Sequence, residues 1–150
     1  MSQKHPKALP YLFFSEMWER FGYYLMIGIF LLYLKNVEHG FAMTNTEASD
    51  LYGTFIALVF LTPFIGGLLA DRYFGYRKSI IAGGIMMGGG YCLMAIHSLP
   101  MLYLSMALVI FGNGFFKPNI STLLGNLYSA PEYIHRKDEG YNIFYMGINV

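Results

Sequence analysis

The stretch Tyr11–Leu34, YLFFSEMWERFGYYLMIGIFLLYL, decides the fold. It meets the about 20 mostly apolar residues that carry a helix across a bilayer. It also carries three charges, Glu16, Glu19 and Arg20. A secretory signal has a short apolar core and a small-residue cleavage site. This stretch has neither and is expected to be a retained membrane helix.

Glu16, Glu19, Arg20, Tyr23, Tyr24 and Ile27 follow steps of three and four residues, which place them on one side of a helix. Glu16 and Arg20 are four apart and can pair directly. A charge at the bilayer centre costs at least about 3 kcal/mol. Three of them must therefore face a protein interior, with partners and water. Two readings fit: a structural salt bridge, or a proton site whose occupancy depends on which cation stands close. Arg20 alone cannot neutralise both glutamates, so the cluster calls for a further cation or a proton.

Working outward, three more segments have the length and apolarity of spans: Ala48–Ala70, Ser79–Ile96 and Met101–Leu127. A fifth begins near Gly140 and runs to Val150. Polar connections are expected at Lys35–Glu47, Asp71–Lys78, His97–Pro100 and Tyr128–Glu139, the last broken by Pro131. Lys4, Lys7, Arg72, Arg77, Lys78, Arg136 and Lys137 would all share one side of the membrane, and Lys35 the other. That bias predicts a cytoplasmic N-terminus.

Composition agrees with a membrane protein. Hydrophobic residues make up 55% of the 150 and charged ones 13%, against about 25% charged in a soluble domain. The near-neutral net charge of +1 argues against a nucleic-acid partner. A single cysteine, Cys92, excludes a disulfide framework or a Cys-based zinc site. The histidines show no ligand spacing. Gly112-Asn113-Gly114 before Lys117 lacks the spacing and the preceding strand of a phosphate loop. No catalytic constellation is evident, so an enzyme is not expected.

Lys117 is the candidate further cation. At about 1.5 Å of rise per residue, Glu19 lies roughly 13 Å from Pro10, Lys117 roughly 15 Å from Leu127, and Asn149 roughly 13 Å from Gly140. Glu19, Arg20, Lys117 and Asn149 are thus expected in one layer if their helices are neighbours. Pro118 frees the carbonyl near Gly114, to serve a kink or to serve a substrate. Gly84 and Gly88, and more loosely Gly83 and Gly90, have the spacing of close helix contacts. Trp18 is assigned to packing.

Glu16-Met17-Trp18-Glu19-Arg20-Phe21-Gly22-Tyr23-Tyr24 resembles the ExxERFxYY motif of proton-coupled oligopeptide transporters of the major facilitator superfamily. Phe111–Asn119 resembles that family's fourth-helix signature, Phe144–Asn149 its fifth-helix signature, and Asp71–Lys78 the superfamily's loop motif between helices two and three. The resemblance implies an all-α membrane bundle of which these residues are the first four helices and the start of the fifth. It implies that Glu16, Glu19 and Arg20 couple protons to transport, and that Tyr23, Tyr24, Lys117 and Asn149 contact a di- or tripeptide. Asp71 and Arg72 would belong to a gating latch. The proton is the coupling ion, and no other cofactor is expected. Partners would be the peptide, the proton, the lipid bilayer and the remainder of the polypeptide, in a bacterial inner membrane.

Ile27 and Phe60 depart from the family pattern by removing polar groups from the expected site. They leave open another small solute, such as nitrate or a drug-like molecule. The chain's early end leaves open a truncated, non-transporting scaffold.

Overall fold

The computed structural model describes residues 4–149. Every regular element in it is a helix: α1 Leu9–Lys35, α2 Asn45–Leu69, a π-helical turn Ala70–Phe74, α3 Tyr76–Met94, α4 Leu99–Leu127, a 3-10 turn Ile134–Arg136, and α5 Lys137–Asn149. The expected fifth helix extends to Val150, which lies outside the described residues.

Local chemistry sets the ends. Pro10 and Pro100 sit in the first turns of α1 and α4, where a missing N–H costs no hydrogen bond. α2 starts at a reciprocal cap: Thr44 Oγ1 accepts from the Glu47 amide at 3.3 Å, and Glu47 Oε2 accepts from the Thr44 amide at 3.0 Å. Such a cap satisfies two orphan donors and moves the start ahead of the expected Ala48. The expected loop Asp71–Lys78 shrinks to Gly75. The chain stays helical through Phe74, and Gly75 turns it at φ +74°, a conformation that suits a residue without a Cβ. The Gly75 amide donates to the Ala70 carbonyl at 2.8 Å. Tyr128–Glu139 is likewise less open than a polar loop. It contains the 3-10 turn, and Tyr128 is fully buried with its hydroxyl 2.6 Å from His5 Nδ1.

Asn45–Phe74 and Leu99–Leu127 are long and apolar enough to span a membrane by composition alone. The other two expected spans, α1 and α3, do not reach that standard. Charges dilute α1, and glycines with a basic start dilute α3.

α4 is the centre of the bundle, with α3 along one side and α2 along the other; α1 lies chiefly against α5 and touches α2 and α4. Glycines allow the close approach. A Cβ on Gly83 would stand 2.6 Å from the Gly112 carbonyl oxygen, and one on Gly90 would stand 2.9 Å from the Ser105 carbonyl oxygen. Gly84 only grazes Phe116, and Gly88 meets nothing within 4 Å. The packed stripe of α3 is therefore Gly83–Met87–Gly90, not Gly84–Gly88. On the α2 side, the Gly114 carbonyl fills the space of a Cβ on Gly66. That is the carbonyl which Pro118 leaves without its helical N–H, and it serves packing. Thr62 Oγ1 donates to the Ile110 carbonyl at 2.9 Å and fastens the same crossing. Trp18 is 64% exposed and meets the Phe21 ring edge-on. It does not pack inside these five helices.

Candidate functional site

α1 turns a mixed stripe inward. Leu12, Glu16, Arg20, Tyr23 and Met26 are buried, at steps of three and four. The apolar members anchor the helix, and the same periodicity carries the charges into the interior. Arg20 Nε stands 3.4 Å from Glu16 Oε1 and also donates to Glu19 Oε2. The side chains of all three are under 10% exposed, at 3% for Glu16, 6% for Glu19 and 7% for Arg20. Desolvation at this depth makes the ion cluster expensive unless each charge is held by a partner.

The hold is incomplete. Glu16 Oε2, Arg20 Nη2, Asn113 Oδ1 and Tyr91 OH are buried without a hydrogen-bond partner among the described residues. Buried polar atoms are normally paired, and those that are not mark water, strain or function. Here they lie on α1, α3 and α4.

A pocket of 350 Å³ opens beside the cluster. Arg20, Tyr23, Tyr24 and Ile27 line it from α1, Tyr52, Ile56, Val59 and Phe60 from α2, and Asn113 and Lys117 from α4. It falls in the size range of small-molecule sites, with apolar walls and a few placed polar groups. The Arg20 guanidinium sits 5.3 Å from the Tyr23 ring centroid. Lys117 Nζ sits 5.6 Å from the Phe60 ring centroid, within reach of a cation–π attraction. Lys117 acts electrostatically on both glutamates, but makes no direct ion pair with them among the described residues.

Six of the nine residues expected at the site lie in or beside this pocket. Glu16, Glu19 and Arg20 form its charged flank, and Tyr23, Tyr24 and Lys117 line it or border it. Asn149 is not brought to it: the residue is exposed, and its amide returns to the Tyr145 carbonyl of its own helix at 2.8 Å. Asp71 and Arg72 lie apart, exposed on the π-helical turn.

Two polar groups of the site escaped the sequence reading. Asn113 is 1% exposed and donates to Glu19 Oε1 at 3.4 Å. Its position one turn before Lys117 was the available signal. Tyr91 brings a phenol from α3 against Gly22 and within electrostatic reach of Glu19 and Arg20.

A helical bundle with an ion cluster inside it, opening on a solute-sized pocket, defines the class: a polytopic membrane protein built around intramembrane ionisable groups. Comparison with known proteins gives the family. The Major Facilitator Superfamily profile matches residues 19–150. An uncharacterized transporter of Bacillus subtilis (strain 168), YclF, is 41% identical over 97% of this chain and 30% of its own length. The di-/tripeptide transporter of Lactococcus lactis subsp. lactis (strain IL1403) is 38% identical over 97% of this chain and 30% of its own. A crystal structure of the peptide transporter POT in complex with sulfate superposes with a TM-score of 0.91 at 40% identity, covering 97% of this chain and 30% of that one. The chain belongs to the Major Facilitator Superfamily, a family of integral membrane transporters. It spans about 30% of the length of these relatives.

Proposed function

We propose that the chain is the N-terminal part of a proton-coupled symporter that imports di- and tripeptides by alternating access. The observation that carries the reading is the buried Glu16–Arg20–Glu19 cluster beside a 350 Å³ pocket lined by Lys117, Tyr23 and Tyr24. The names of the Lactococcus relative and of the solved structure support peptide as the cargo.

Two carboxylates against one guanidinium leave one negative charge when both are ionised. A proton on one of them neutralises the group, and Lys117 compensates more weakly from across the pocket. A peptide is a zwitterion. Its carboxylate suits Lys117 and Arg20, and tyrosine hydroxyls suit its backbone groups. A peptide carboxylate arriving between Lys117 and Arg20 competes with the glutamates for the same cations. That competition is how cargo and proton come to depend on each other. Asn149 would join the peptide contacts once α5 moves or the rest of the protein covers it. Asp71 and Arg72 would act at the membrane face, gating the two access states.

The proton is the coupling ion. The remaining polypeptide and the bilayer complete the site, since superfamily sites lie at the interface of the repeats near the midplane. The protein sits in the bacterial cell membrane with its N-terminus inside. In proteoliposomes, the complete protein takes up labelled dipeptide when an inward proton gradient is imposed. Uptake indifferent to the gradient would contradict the reading.

Ile27 and Phe60 on the pocket wall favour a second reading, in which the same machinery carries another small solute. Competition of dipeptides, nitrate and drug-like compounds against labelled dipeptide separates the two.

A further inference from the structure

We propose that Asn113 is a positioning residue of the proton site, holding the Glu19 carboxylate with its amide and presenting its own carbonyl oxygen to the Lys117 ammonium. The inference rests on the proton-coupling reading and extends it to a residue outside the charge motif.

The two glutamates are not equivalent. Both oxygens of Glu19 receive donors: Oε2 from Arg20 Nε, and Oε1 from Asn113 Nδ2 at 3.4 Å. That is the arrangement of an ionised carboxylate, which only accepts. Glu16 has Oε1 at 3.4 Å from Arg20 Nε, and Oε2 buried with no partner among the described residues. A proton added at Glu16 Oε2 breaks no bond. Asn113 is the neutral group that creates the difference.

Its other end lacks a donor among the described residues. Asn113 is 1% exposed, and its Oδ1 is buried and unpartnered among the described residues. A buried acceptor without a donor costs free energy. Lys117 lies one turn further along the same face of α4 and lines the same pocket, its ammonium 5.6 Å from the Phe60 ring centroid. Moving from that ring to Asn113 Oδ1 would satisfy the amide and bring the cation toward Glu19. An amide does not titrate, so it transmits position and not charge.

The titratable and charged groups around Asn113 come from four helices. Glu16, Glu19, Arg20, Tyr23 and Tyr24 face the site from α1. Tyr52 faces it from α2, Tyr91 from α3, and Lys117 from α4 itself.

The test is the pH profile of gradient-driven dipeptide uptake by the complete protein in proteoliposomes, for wild type, Asn113→Leu and Asn113→Asp. Without the amide donor the ionised form of Glu19 is less stable, so protons are held to higher pH. The midpoint in Asn113→Leu moves alkaline by about one pH unit, the scale of one lost charge-assisted hydrogen bond. Asn113→Asp keeps the shape, sets a carboxylate against Glu19, and moves the midpoint the same way; it supplies the reading if Asn113→Leu does not fold. Lower uptake at every pH with both midpoints unmoved would mean a structural role and overturn the inference alone. A wild type with no gradient-driven uptake would overturn the symport reading, and this inference with it.

Discussion

Arg20 reaches back one helical turn to Glu16, 3.4 Å from Nε to Oε1, and spends the same Nε on Glu19. One buried cation thus carries two buried carboxylates. Removing it leaves both without a contacting cation, and a broken buried pair costs about 3–5 kcal/mol. Arg20→Leu should therefore lower the thermal unfolding temperature of the detergent-solubilised protein markedly. Neutralising the whole cluster, with Glu16→Gln, Glu19→Gln and Arg20→Met together, should recover most of that loss and still abolish coupled transport. An Arg20→Leu protein as stable as wild type would show that the cluster is not desolvated as described.

The two glycine registers of α3 make a sharp contrast. A Cβ on Gly83 would stand 2.6 Å from the Gly112 carbonyl oxygen and 2.8 Å from the Phe116 amide nitrogen, whereas one on Gly88 meets nothing within 4 Å. Overpacking of this kind costs about 1–3 kcal/mol, and alanine gains up to about 1 kcal/mol over glycine in a helix. Gly83→Ala should lower the unfolding temperature, and Gly88→Ala should hold or raise it. The reverse order would place the α3–α4 contact on the other stripe.

Orientation is testable from the basic residues. With Cys92 replaced by alanine, a cysteine at Glu38, between α1 and α2, should react with a membrane-impermeant maleimide on intact cells. A cysteine at Lys78, at the start of α3, should react only after permeabilisation. The opposite pattern would reverse the topology inferred from the lysine and arginine bias.

Much of the site could be read from the sequence because it lies on one helix. Spacing in α1 gives both the face and the Glu16–Arg20 pair, since i,i+4 neighbours meet whatever the tertiary structure. Asn149 shows where such reasoning stops. Rise per residue gives height along a helix, but not the direction a side chain takes around it. Asn149 faces outward with its amide on Tyr145. Asn113 and Tyr91 were hidden for a related reason: each meets the cluster only through the packing of α4 and α3 against α1, which spacing within one helix does not give. Gly83 and Gly84 are adjacent, and only the crossing with α4 distinguishes them. The depth of Trp18 suggests packing, yet the side chain faces away from these five helices.

The most direct test of the central claim is proton movement itself. Proteoliposomes of the complete protein, loaded with a pH-sensitive dye and given external dipeptide, should show lumen acidification that depends on the peptide. Glu16→Gln and Glu19→Gln together should abolish that acidification and retain peptide counterflow. Peptide uptake with no acidification in the wild type, or acidification that survives in the double variant, would contradict the assignment of the Glu16–Glu19–Arg20 cluster as the proton-coupling site.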